Sequence, residues 1–400
     1  MGSEAMQTQP IDRILERTAR LVALLVGISI VWQMLRPASP FLAYWGIWFV
    51  VFYALTIGFG TPTEHRTRRI RRGLIGVVLL GALVLSAVQV YHHKEETKAA
   101  QIMATFEKAL ATRLWIAYEP ASVDPYENEY ASAEEIRGEL QVLAGDSFDG
   151  VITFSASGSL ADIPRIAKEV GFRAVIMGII NVVDNEELSA AISVKEYVDA
   201  YCVGHMFTDY PYSQTEVLQA LDIVRSSTGR PISTTLRPNG YLVFPEVSNA
   251  IDFFFPDIHA NWYYDGSAHK ALKATEEYVR EVRRLQARYP NKPVLLKLIS
   301  IPSEEVPGAS TEQQYQFYRQ VVEYVESSMT FPERVYPSYF SAFDLPWKSP
   351  ERGWPPGERY LGFYDASGRC KVASVAGAEV RVVDALKWSR VVTAQERVGL

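Results

Sequence analysis

The sequence has little cysteine and no excess of positive charge. Two cysteines in 400 residues, Cys202 and Cys370, cannot specify a disulfide framework. Cys202 falls in an apolar strand pattern and reads as a buried thiol. No cysteine–histidine cluster has the spacing of structural zinc. A formal charge of -6, with basic and acidic residues nearly balanced, gives no reason to expect nucleic acid as a partner. The chain also lacks a glycine-rich phosphate loop. The segment after the first soluble strand, "YEPASVDPYENEY", is acidic and contains no glycine. "SASGSL" after the second is ordinary turn chemistry. No cofactor and no metal is therefore expected.

Long apolar runs are present. They cover about 20–36, 40–59 and 73–91, and a membrane span needs about 20 mostly apolar residues. A secretory leader would have one such run and a cleavage site, not three. Arg66, Arg68, Arg69, Arg71 and Arg72 follow the second run, and Arg13, Arg17 and Arg20 precede the first. By the positive-inside rule both groups face the cytoplasm. The expectation is a membrane domain over 1–92 with three transmembrane helices. It implies a multi-pass location in the cell (inner) membrane, with everything after it extracytoplasmic.

Residues 93–110, "HKEETKAAQIMATFEKAL", predict a helical connector. Beyond it, apolar runs alternate with amphipathic helical patterns. The runs are "RLWIAYEP", "DGVITFSASG", "RAVIMGIIN", "VDAYCVGHM", "PISTTLR", "AIDFFFPDIHANW", "PVLLKLIS" and "RVYPSYFSAFDLPW". Near-continuous apolar strands between such helices argue for a parallel sheet covered on both faces. Eight of them predict an α/β fold of the (β/α)8 TIM-barrel type over 111–371, with a C-terminal extension over 372–400. An open doubly wound sheet is the competitor.

Barrel sites lie at the C-terminal ends of the strands. Those ends offer Tyr118, Glu119, Ser155, Asn181, His205, Asp209, Arg237, Asp257, His259, Lys297, Ser341 and Asp344. Trp262 and Trp347 offer flat apolar faces that suit the C–H faces of a pyranose.

These ends resemble glycoside hydrolase family 17, the β-1,3-glucanases and glucanosyltransferases. "AIDFFFPDIHANWY", "KPVLLKLISIPSEEVPG", and the closing "YFSAFDLPWK" with "GERYLGFYDASGRCK" match that family's segments in order. The resemblance runs from about Leu114 to Lys371 and implies an eight-stranded barrel acting on β-glucan. It also exposes departures. Where the family carries an acid/base glutamate in "VGNE", this chain has Val203-Gly204-His205-Met206. Where it carries a nucleophile glutamate, this chain has Lys297-Leu298. The family's arginine-threonine-tyrosine on strand two is Ile152-Thr153-Phe154, and Ser341 stands where strand eight usually has glutamate.

Retaining hydrolysis needs two carboxyl groups about 5–5.5 Å apart. Methionine and leucine can do none of that work. Two readings therefore stay open. One is a membrane-anchored domain, a pseudoenzyme, that binds β-glucan or a related polysaccharide or oligosaccharide. It would serve a membrane polysaccharide synthase or exporter. The other is an active hydrolase or transglycosylase with relocated carboxylates. Its candidates are Asp257, His259 and Glu119, with Asp209, Glu304, Glu305 and Asp344 behind them. Binding would fall to Trp262, Trp347, Tyr118, His205, Asp209, Lys297 and Asp344.

Overall fold

The computed structural model describes residues 65–205, 212–328 and 334–371. The chain divides into two compact units, Met1–Lys98 and Ala99–Leu400. Its first described helix, α1, is His65–Thr112.

Eight strands follow: β1 (Trp115–Ala117), β2 (Gly150–Ile152), β3 (Ala174–Ile179), β4 (Ala200–His205), β5 (Ile232–Leu236), β6 (Phe255–His259), β7 (Val294–Ile299) and β8 (Val335–Phe340). All neighbouring pairs are parallel, and β1 pairs with β8, so the sheet closes in chain order. The helices between them are α2 (Ala133–Gly145), α3 (Ile163–Val170), α4 (Asn185–Ser193), α5 (Gln214–Thr228), α6 (Gly240–Val243), α7 (Pro245–Ala250), α8 (Ala268–Arg288) and α9 (Thr311–Ser328). Their starts are written locally. Ser132 opens α2 with a reciprocal cap, its hydroxyl accepting from the Glu135 amide while the Glu135 carboxylate accepts from the Ser132 amide. Ser213 and Glu216 repeat the device at α5. Asp184 caps α4 by accepting from the Glu186 and Glu187 amides.

Period-two alternation sorts the strand residues into two cores. Ile116, Val151, Val175, Met177, Tyr201, Ile258, Leu298 and Tyr339 face the helices. Trp115, Ala117, Ile152, Ile176, Cys202, Phe255, Leu295 and Ile299 fill the barrel. Phe106 and Leu110 of α1 join the inner core, with Phe106 4.9 Å from the Phe253 ring. Burying each such side chain contributes roughly 1.5–3 kcal/mol. One close approach demands glycine. A Cβ on Gly178 would lie 2.4 Å from the Thr153 carbonyl oxygen. Gly178→Ala is expected to lower stability by about 1–3 kcal/mol, read as a shift in the urea midpoint.

The membrane expectation is corrected here. The runs at 20–36 and 40–59 lie outside the described residues. The third, 73–91, is not a separate span: it is the middle of α1, which continues unbroken through His92, His93, Lys94, Glu95 and Glu96. Among the described residues no helix is long and apolar enough to cross a membrane. Hydropathy ends the run at Tyr91, whereas backbone hydrogen bonding carries the helix across the charged stretch that follows. Among the described residues, then, no transmembrane helix precedes the barrel, and the membrane anchoring and the multi-pass inner-membrane location with an extracytoplasmic domain, which rested on three such helices, lose that basis. The extension over 372–400 lies outside the described residues.

Candidate active site at the barrel mouth

The C-terminal rim of β6 and β7 brings together three of the residues named from sequence. Asp257 and Lys297 are register partners on adjacent strands. Lys297 Nζ lies 3.0 Å from Asp257 Oδ1, with both side chains almost fully buried. The ammonium also sits 4.7 Å from the Phe154 ring centroid and 5.0 Å from that of Phe340. His259 Nε2 is 3.4 Å from Asp257 Oδ2. Alternation decides this arrangement. On β7 it turns Lys297 inward and Leu298 outward into the helix-facing core. The inner rim position is thus filled by a lysine engaged with an aspartate rather than by leucine.

Across the mouth, Glu119 follows β1 and is paired with Lys348, whose Nζ is 2.7 Å from Glu119 Oε2. Both are buried. Lys348 lies 4.8 Å from the Trp347 ring and 5.1 Å from the Trp354 ring. These are cation–π distances.

Glu358 completes the cluster. It is half-buried, and the Asn261 amide donates to its Oε1 at 2.6 Å. Burial pushes its carboxyl above the ordinary glutamate value, against the pull of Lys348, His259 and Lys297, while the nearby negative Glu119 adds to the rise. The turn carrying Glu358 is pinned by Glu305. That carboxylate accepts from the Gly357 amide and pairs with Arg359. Sequence reading had set Glu305 among the candidate acids; here it is a clamp.

Two clefts flank the cluster. One, of about 280 Å³, is lined by Asn261, Trp262, Tyr264, Pro302, Pro355 and Glu358 among others. Trp262 is 46% exposed and stacks on His259 at 3.9 Å. The other, of about 220 Å³, includes Glu119, Phe154, Ser155, Ser157, Asn181 and Glu187. Glu187 shapes it: its carboxylate accepts from Ser155 Oγ and from the Ala156, Ile180 and Asn181 amides. It ties the β2 and β3 loops together.

The remaining sequence candidates are placed as follows. Trp347 is buried, and its indole N–H donates to the Pro120 carbonyl at 3.1 Å. The Tyr118 hydroxyl donates to Glu139 Oε2 at 2.6 Å, and burial raises its pKa well above the ordinary tyrosine value. His205 ends β4 beside Thr235. A register shift between Cys202 and His205 adds a residue at Gly204, where φ is +76°. The Thr234 hydroxyl donates to the Gly204 carbonyl at 2.8 Å. Met206 and Asp209 lie outside the described residues.

Asp344 pairs with Lys371 at 2.7 Å and accepts from the Gly362 amide. Burial pushes its carboxyl up to about 6 despite the lysine. A raised carboxyl binds its proton more tightly folded than unfolded. Its contribution is most favourable below the ordinary aspartate value of 3.8 and is lost as pH rises toward 6. The contribution of this group to the unfolding free energy, read from urea curves against pH, is expected to fall over that window by an amount on the order of 1–3 kcal/mol. Asp344→Asn should flatten the dependence.

Sequence reasoning did not single out Glu358, Lys348 or Asn261. The signal for the first two was the closing motif itself, "WKSPERGWPPGERYLGF", which contains both.

A closed parallel barrel in chain order defines a (β/α)8-barrel fold, with a cluster of acids and bases at its strand ends. No protein-family model matches this chain, and no curated protein is significantly similar to it. Among solved structures it is similar to an endo-laminarinase from Formosa Hel1_33_131. The two share 15% identity over 66% of this chain and 86% of that one, with a TM-score of 0.51. It is equally similar to GH5_18 from Streptomyces cattleya, crystallised with GlcNAc: 15% identity, 72% and 80% coverage, TM-score 0.51. At such identities the likeness is one of fold, and it does not single out family 17.

Proposed function

We propose that this barrel hydrolyses or transfers chains of β-glucan or a related polysaccharide at its mouth, with the acid role moved to Glu358. The observation that carries the reading is Glu358 itself. It is half-buried at the strand-end rim beside the exposed Trp262, and its carboxyl is pushed up toward the range where a general acid works. Glu119 is the carboxylate whose charge reaches it, and it borders the opposite cleft. Asp257 and His259 support the rim from below, His259 by stacking on Trp262. The family-17 resemblance of the closing motif supports a glucan as the substrate.

A second reading, glycan binding without turnover, is favoured by one observation. Glu119 and Asp257 are each engaged by a lysine, which lowers the availability of either carboxylate for attack. The test incubates the full chain with β-1,3- and β-1,6-linked glucan oligosaccharides and follows products by mass spectrometry. Sustained turnover supports the enzyme. Binding without products supports the second reading, and absence of both contradicts each. In either case Trp262→Ala is expected to weaken oligosaccharide binding about tenfold, or about 1–2 kcal/mol, in titration calorimetry. The fold should stay intact.

A further inference from the structure

The cations around the mouth differ in one respect. Lys297 is paired with Asp257, Lys348 with Glu119, Arg359 with Glu305 and Lys371 with Asp344. Arg237, just beyond β5, has no carboxylate within ion-pair distance among the described residues. Its guanidinium instead lies 4.6 Å from the Trp262 ring centroid. It is exposed, while Trp262 lines the 280 Å³ cleft that also contains Glu358. An arginine held against an indole keeps its charge and its forked set of N–H donors, and loses little freedom when an anion arrives. That fork matches the two oxygens of a carboxylate.

We infer that the glycan read by this site carries a carboxylate, as a uronic acid does, and that Arg237 binds this group at the edge of Trp262. The inference rests on the proposed carbohydrate site and adds the chemical class of the chain bound there. It also accounts for a cation that has no carboxylate partner among the described residues and lies over the Trp262 ring. A neutral glucan would need only the exposed edge of the indole and hydroxyl partners such as Asn261. An acidic chain needs a positive charge within reach of the same ring.

The experiment compares a β-1,3-glucan oligosaccharide with the same oligosaccharide oxidised at C6 to the uronic acid. Titration calorimetry on the full chain reads the ratio of the two affinities at low and at moderate salt. The wild type is expected to favour the acidic chain by about tenfold, with the ratio shrinking as salt rises. Arg237→Met should bring the ratio close to one, and Arg237→Lys should keep part of it. Thermal melting checks that both variants are folded. Equal affinity of the wild type for the two chains overturns the inference and leaves the carbohydrate site standing. A preference that survives in Arg237→Met also overturns it. If neither chain binds, the carbohydrate reading fails first and the inference with it.

Discussion

Lys297→Met is expected to destabilise the barrel by about 3–5 kcal/mol. The reason is the position of its partner. Asp257 has no solvent exposure, and Lys297 is the cation at 3.0 Å. Removing the ammonium leaves a carboxylate in an interior lined by Phe154 and Phe340, with His259 Nε2 3.4 Å away. Desolvation then goes uncompensated. The double substitution Asp257→Asn with Lys297→Met should recover most of the loss, because a buried pair contributes little net stability once both charges are gone. Urea unfolding of the three variants checks this. A loss below about 1 kcal/mol for Lys297→Met would mean that water reaches the pair and that the mouth is more open than its geometry indicates.

Glu358→Gln is expected to have the largest effect on turnover, a fall of about 10²–10⁴-fold, with little change in oligosaccharide affinity. Glutamine keeps the size of the side chain and can retain a hydrogen bond with Asn261 through its carbonyl oxygen. It cannot donate an acid proton. The pH profile gives the independent check. A general acid works only while protonated, so wild-type activity should decline as pH rises through the Glu358 pKa. Because burial raises that pKa, the decline should lie above the ordinary glutamate range. Residual activity in Glu358→Gln should lack that limb. A variant that retains both rate and limb would move the acid elsewhere.

The barrel was legible because its physics is local. Apolar runs such as "RAVIMGIIN" and "PVLLKLIS" record strands covered on both faces, and the intervening helices announce themselves through caps such as Ser132 and Ser213. Asp257, His259 and Trp262 were legible for the same reason, since all three fall at one strand end. Lys297 was half legible. An inward strand-end lysine needs a carboxylate partner, and Asp257 on the neighbouring strand is that partner; the motif match, by contrast, sets Leu298 at the nucleophile position, and Leu298 faces the helices. Glu358 was hidden by distance. It lies 97 residues from Asn261, on the long excursion after β8, and no local pattern marks a loop that folds back over the mouth. The extra residue at Gly204 was hidden too, because a register shift depends on pairing with β5 rather than on the strand's own sequence. The apolar run at 73–91 misled for the converse reason. Hydropathy describes a window of sequence, while helix α1 runs past it on both sides.

The most direct measurement is a crystal structure of the full chain carrying Glu358→Gln, soaked with a β-1,3-linked glucan oligosaccharide. The proposed mechanism places the side-chain amide of residue 358 within about 2.6–3.2 Å of a glycosidic oxygen, with an adjoining sugar ring against Trp262. An oligosaccharide bound away from the β6–β8 rim, or with no glycosidic oxygen within reach of residue 358, would contradict it.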